Sequence, residues 1–252
     1  MANEIQIKFN SFTLDDGGTY LVDSFKADES KAIHLHKIPG SQESRAEDGE
    51  RESIVFKMSG SISSTNYDAL RTAFDALKAA LHDGIQKFTL DDDRYIMAQI
   101  SSFGYEYKHL RTLLLWEATF VAHYPYWLAE TPTVSDTTPT SGVGYTITNN
   151  GNSKARVKVE ITPSATMTDA CKVENQMNGE SFQYRGTVAA GDVLEVDNHY
   201  DTDDHQVLND GADGIVNFEG DFLELEPGAN TIVFTGTATT AVKITCRDTY
   251  AA

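Results

Sequence analysis

Apolar residues in this chain recur at two spacings, and the two spacings predict different elements. Period-two alternation, the mark of a strand buried on one face, places Ile5, Ile7 and Phe9 together in Glu4–Phe9. The same alternation predicts strands at Tyr20–Phe25, at Ala32–Ile38 (Ile33 and Leu35 on one side) and at Ser53–Gly60, where Ile54, Phe56 and Met58 share a face. One segment has the helical period instead. Leu70, Phe74, Leu77 and Leu81 follow at steps of 4, 3 and 4, a single apolar stripe. The helix is therefore expected from about Asn66 to His82, with Asn66 as N-cap, Asp68 in the first turn and Gly84 as the stop. Gln86–Leu90 and Arg94–Phe103 read as a hairpin around Asp91–Asp93. Arg111–Val121 follows, apolar on both faces at Leu113–Trp116, as a central strand would be.

The pattern breaks at Thr131–Gly142, TPTVSDTTPTSG, which is read as a linker because it shows no periodicity. Beyond it no helix is expected. Short alternating or β-branched runs at Tyr145–Asn149, Ala155–Ile161, Ser181–Tyr184, Val193–Val196, Ile215–Phe218, Thr231–Phe234 and Val242–Thr245 are separated by Asn/Gly turns, as in a β-sandwich or jelly roll. Asp197–Asp213 reads as one long loop or a mobile hairpin. The expected architecture is mainly β: an α+β domain with one main helix over residues 1–130, a linker at 131–142, and a galectin- or carbohydrate-binding-module-like sandwich over 143–252.

Charge narrows the partners. The formal net charge is −18; residues 1–130 hold 20 acids and 13 bases, and residues 131–252 hold 18 and 7. Such a surface repels phosphate backbones, so no sequence-specific nucleic acid is expected as a partner. MANEIQIKFNSF has neither a basic region nor an apolar core, so it is not read as a signal peptide, and no apolar run is long enough to insert in a membrane. A soluble protein made in the cytoplasm is expected. Cys171 and Cys246, 75 positions apart, read as small buried hydrophobes rather than a disulfide.

The chemistry-bearing residues give no catalytic pattern. None of HExxH, GxSxG, GxGxxG or a phosphate-binding loop occurs, so no enzyme, no catalytic residue and no cofactor is expected. His34 and His36 share a strand face but lack a third ligand. Asp201, Asp203 and Asp204 form the best calcium candidate, although Gln206 stands where the calcium-loop pattern needs glycine. The metal expectation is none. Gly40–Arg51, GSQESRAEDGER, is a long polar segment between strands and reads either as a hairpin tip or as an arm reaching a neighbour. Arg45, Glu47, Asp48 and Arg51 are its interface candidates. Tyr124, Tyr126 and Trp127 of the YPYW cluster read equally as an interface hot spot and as a plug on the core. A sugar-binding face near Tyr184, His199 and Tyr200 is a rival reading drawn from fold analogy.

The order of these features resembles the distal tail protein family of siphophages: IKFNSFTLDD, SIVFKMSG, YDALRTAFDALKAAL, DDDRYIMAQ and WEATFVAHYPYWLAE, a linker, then NNGNSKARVKVEIT, NGESFQYRGTVAAGDVLEVD and GDFLELEPGANTIVFTG. The resemblance implies a structural virion protein of the tail. Its first domain would assemble with copies of itself as a ring, typically a hexamer. The ring would join the tail tube protein to the hub or tail-associated protein, around the path of the tape measure protein and DNA. Its second domain would face outward toward side fibres or a receptor-binding protein. The stretch Asp197–Asp213 is more acidic than the family pattern leads one to expect. A soluble carbohydrate-binding protein or another tail adaptor remains the alternative.

Overall fold

A computed structural model describes residues 7–28, 31–37, 44–82, 84–90, 93–109, 112–168, 171–198, 205–237 and 240–251; the side chains of 31–37, 44–51 and 109 lie outside the description. The chain divides into two compact units, Met1–Trp127 and Leu128–Ala251. The fold is mainly β, as the pattern of alternation predicted.

The first unit is an antiparallel sheet with one helix laid on it. Its strands run in the order Phe12–Thr13, Lys8–Phe9, Gln86–Thr89, Arg94–His109, Leu113–Ala122, Ile54–Ser63 and Tyr20–Asp28. Leu113–Ala122 is central, paired with Ile54–Ser63 on one side and with Gln99–His109 on the other. Alternation decides which face is buried: Leu114, Trp116, Ala118, Phe120 and Ala122 are buried, and Glu117 between them is exposed. The helix, Tyr67–Leu81, buries Leu70, Phe74, Leu77 and Leu81. Asn66 caps it by accepting from the Ala69 N–H at 2.9 Å, and the chain leaves through His82 and then Gly84, at φ +76°. Tyr20 ties the edge strand to the helix by donating its hydroxyl hydrogen to the Ala73 carbonyl at 2.9 Å. Inside, Phe25, Phe56 and Phe88 stack with centroids 5.3–5.9 Å apart, and Trp127 meets Phe56 edge-on.

Ser44–Arg51, expected as part of a polar loop, is instead a strand paired with Lys31–Lys37. The two form a separate two-stranded sheet. Charged and small residues hide a strand from a periodicity search, whereas backbone pairing needs no apolar face.

The second unit is a sandwich of two antiparallel sheets. One has the order Thr133–Thr137, Thr240–Cys246, Ala155–Pro163, Leu194–Asp197, Gln206–Asn209 and Ala212–Asp213, with Glu224–Leu225 added against Ala155–Arg156. The other has the order Gly144–Asn149, Gly228–Thr235, Cys171–Asn175, Ser181–Tyr184 and Phe218–Gly220. Val157, Val159 and Ile161 from the first meet Ile147, Val173, Phe182, Ile232 and Phe234 from the second in one core. Cys171 and Cys246 lie in that core as free thiols, and burial pushes their pKa values up to about 11 and about 12.

The stretch expected as a linker contributes to this sandwich. Thr133–Thr137 pairs along its whole length with Val242–Cys246 and forms the sheet's first strand. Its threonines and Val134 suit an edge strand, where burial is slight and alternation weak. Of the two readings of Asp197–Asp213, the pairing favours the hairpin over one long loop: Gln206–Asn209 returns against Leu194–Asp197, and Val207 is buried. Ile215–Phe218, expected as a strand, begins instead as a one-turn 3-10 helix, Ile215–Asn217.

Candidate functional site

Among the described residues no group of three or more His, Cys, Asp or Glu is placed to hold a metal ion. The calcium candidates Asp201, Asp203 and Asp204 lie outside the described residues. Arg45, Glu47, Asp48 and Arg51 lie on the strand Ser44–Arg51, where His36 is opposite Arg45 and His34 opposite Glu47 in the backbone register. Trp127 packs against the first unit's core, and the Tyr124 and Tyr126 rings sit 4.9 Å apart, both half-buried. Tyr184, from the sugar-face reading, is a core side chain.

Two features of the backbone and surface stand out instead. The first is the sheet face of the first unit that points away from the helix. Adjacent grooves of about 310 and 540 Å³ run across it and share Ser59, Gly104 and Glu117. Glycine at position 104 opens the hollow, since a Cβ there would lie 2.9 Å from the Glu117 carboxylate. The face is polar and its cations are paired. Lys26 and Lys57 both reach Asp28, at 2.6 and 3.0 Å, and Lys108 reaches Glu106 at 2.7 Å. The bonds from Lys26 and Lys57 hold the Asp28 carboxyl below its ordinary pKa. Ser24 and Ser59 share a 2.8 Å hydrogen bond across the strands.

Among the described residues, the same sheet has edges that no strand covers. Tyr20–Asp28 ends the strand order. Along Arg94–His109, a strand that Tyr126–Ala129 also joins, Gln86–Thr89 pairs with Tyr95–Ala98 and does not extend over the other half. Such edges are templates for another strand.

The second feature is a clamp of buried amides in the second unit, which the sequence reading missed. Four successive carbonyls, Leu223 to Glu226, each accept from an asparagine side chain. Asn198 reaches Leu223 at 2.9 Å, Asn175 and Asn178 reach Glu224 at 2.9 and 3.1 Å, Asn149 reaches Leu225 at 3.2 Å, and Asn230 reaches Glu226 at 2.8 Å. Asn175 also donates to the Asn230 side-chain oxygen at 3.0 Å, joining the clamp into a network. Beside it, Lys154 lies 3.0 Å from Glu226, 3.7 Å from Glu224 and 3.8 Å from Glu180. The hydrogen bond to Glu226 raises the Lys154 pKa; burial, and then the Glu180 charge, raise that of Glu224. The signal for the clamp was present in the turns NNGN, NGE and EPGAN. Asparagine there also serves turns, and only the tertiary structure shows which amides are buried.

This sandwich has known counterparts. Residues 150–250 match the family model described as siphovirus-type tail component, C-terminal domain. The whole chain shares its fold with Dit of phage SPP1, described as a paradigm of the hub adsorption apparatus in phages infecting Gram-positive bacteria. The TM-score is 0.74 at 12% identity, covering 96% of this chain and 98% of that one. A chain of the phage p2 baseplate, in its activated conformation with strontium, aligns with a TM-score of 0.54 at 7% identity over 96% of this chain and 98% of that one. No curated protein sequence matches. The resemblance to distal tail proteins read from the sequence is thus borne out in the fold of the chain and in the family match over residues 150–250.

Proposed function

We propose that this protein is the distal tail ring of a siphophage: six copies close through their first units and join the tail tube to the hub below. The observation that carries the reading is the likeness to Dit of SPP1, which spans both units from end to end. Local geometry supports it. A ring of identical subunits needs two different, complementary edges on each copy. The edge Tyr20–Asp28 and the far half of Arg94–His109 lie at opposite ends of the four long strands. Strand addition between copies would satisfy both.

In that ring the polar sheet face turns toward the opening. Lys26, Lys57 and Lys108 are each committed to a carboxylate. A passing phosphate backbone therefore meets few cations free to exchange for its counterions, and adhesion is weak. The tube protein, hub protein and tape measure protein are the partners of the ring, and the second unit is the mount for side fibres or a receptor-binding protein. The hairpin Lys31–Lys37 with Ser44–Arg51, bearing Arg45, Glu47, Asp48 and Arg51, serves as the arm between neighbours.

Native mass spectrometry and negative-stain imaging of the purified chain test this reading. A six-fold annulus with peripheral lobes is the expected result. A single chain at every concentration reached would sink it. Reversing Asp28 and Glu117 to lysine is expected to slow DNA ejection from particles, and unchanged ejection would remove the channel-facing assignment.

A further inference from the structure

The second unit carries an exposed apolar tip at Ile215 and Val216, 46% and 86% exposed. The tip is held in place. The Ile215 N–H donates to the Asp213 carboxylate at 3.0 Å and the Gly214 N–H to the Val207 carbonyl at 2.7 Å. These two β-branched side chains are therefore presented to solvent by a pinned turn.

The tip continues into a terminal strand. Among the described residues, Phe218–Gly220 ends its sheet and pairs only with Ser181–Tyr184. Asn217 and Asp221 direct backbone groups to Arg185 and Ser181 of that neighbour, at 2.8 and 3.0 Å. Backbone direction alternates along a strand, so Phe218 and Gly220 turn theirs to the open side. Beneath lies a row of rings: Phe182 to Phe218 at 5.5 Å, Phe218 to Phe222 at 4.7 Å, and Phe222 to His205 at 4.5 Å.

Charge identifies the occupant. From Gly186 to Ala241 and Val242 the sequence has twelve acids and no lysine or arginine. Asp210, Asp213, Glu219 and Asp221 from this stretch are exposed around the tip. Arg185 reaches in from the neighbouring strand to Glu219, at 2.7 Å. It shows how a cation from an adjacent strand is received here. A second copy of the chain would bring the same acids and be repelled, as would an anionic lipid surface. An apolar centre with a charged rim is the anatomy of a protein interface.

We propose that this edge docks an extended segment of a partner protein, one that alternates lysine or arginine with aliphatic residues. The segment adds as a strand beside Phe218–Gly220, with its aliphatic side chains on Ile215 and Val216 and its cations among the carboxylates. The proposal does not depend on ring formation, so a chain that never closes a ring leaves it standing.

The test uses the full chain and a capped peptide of alternating Lys and Val, with alternating Glu and Val as control. Fluorescence anisotropy is expected to show saturable, salt-sensitive binding of the first peptide only. Amide shifts should concentrate in residues 213–222. Val216→Lys, on a side chain too exposed to affect folding, is expected to weaken binding about tenfold, and Asp221→Lys to weaken it by a similar factor. Equal binding of both peptides, shifts centred elsewhere, or unchanged affinity in both variants overturns the proposal. So does a Val216→Lys-sensitive gain in mass without peptide, which would make the occupant a second copy. Peptide-independent adsorption to anionic phosphatidylglycerol vesicles at this tip would also overturn it.

Discussion

The two units bury their interiors by different means. The first packs rings and aliphatic side chains between a sheet and its helix, and its buried residues are almost wholly apolar. The second also buries Asn149, Asn175, Asn230 and Asn198, and spends their amides on one irregular segment, Leu223–Glu226. Apolar packing is non-directional. It stabilises the first unit while leaving strand edges available to other chains. A satisfied amide network is directional and fixes one path of the chain, at the cost of being intolerant of partial loss.

Breaking the clamp should give the largest effect. Asn175→Ala leaves the Met177 N–H and the Asn230 side-chain oxygen each short of a bond and removes a donor to Glu224. We expect a loss of about 3 kcal/mol in the second unit, read by calorimetry as a shift of its transition alone. An equal shift of both transitions would show that the units do not unfold separately.

The comparable lesion in the first unit is overpacking. Gly60→Ala sets a Cβ 2.3 Å from the Leu21 carbonyl oxygen and against the Trp116 ring. A cost of about 2 kcal/mol is expected, measured as a lowered denaturation midpoint with the second unit unaffected. Removing the helix cap with Asn66→Ala should cost about 1 kcal/mol. Amide hydrogen exchange would report it as faster exchange in the first helical turn.

The smallest effect concerns Lys154. Its side chain is about half exposed, and solvent screening limits Lys154→Met to under about 1 kcal/mol at neutral pH. The sign with pH is fixed by Glu224, whose folded pKa is raised. Its charged form is disfavoured in the fold, so stability recovers as pH falls through that raised value. The variant should therefore approach the parent as pH falls through the raised Glu224 pKa, and a gap that widens on acidification would refute the account.

Local pattern made much of this fold legible. The helix was placed to within a residue at either end, because stripe, cap and stop agree within one segment. Leu113–Ala122 was recognised as central from apolar residues on both faces. Strands whose partners supply the reason for them were missed. Cys171–Asn175 alternates over only five residues, and its pairing with Gly228–Thr235 is distant in sequence. Thr133–Thr137 and Ser44–Arg51 lack an apolar face altogether. Ile215–Phe218 misled in the other direction, since β-branched residues there are diverted by an aspartate-capped turn. The candidate interface was least legible, because a tip becomes a tip only when the rest of the unit is folded around it.

The two core thiols have a consequence for the covalent life of the molecule. Held protonated far above their usual range and shut away from solvent, they present no thiolate for oxidants or exchange partners to attack. The sandwich can pass from a reducing medium to an oxidising one and keep the same bonds. Any alkylation or mixed disulfide at Cys171 or Cys246 would then record a moment when the two sheets had come apart.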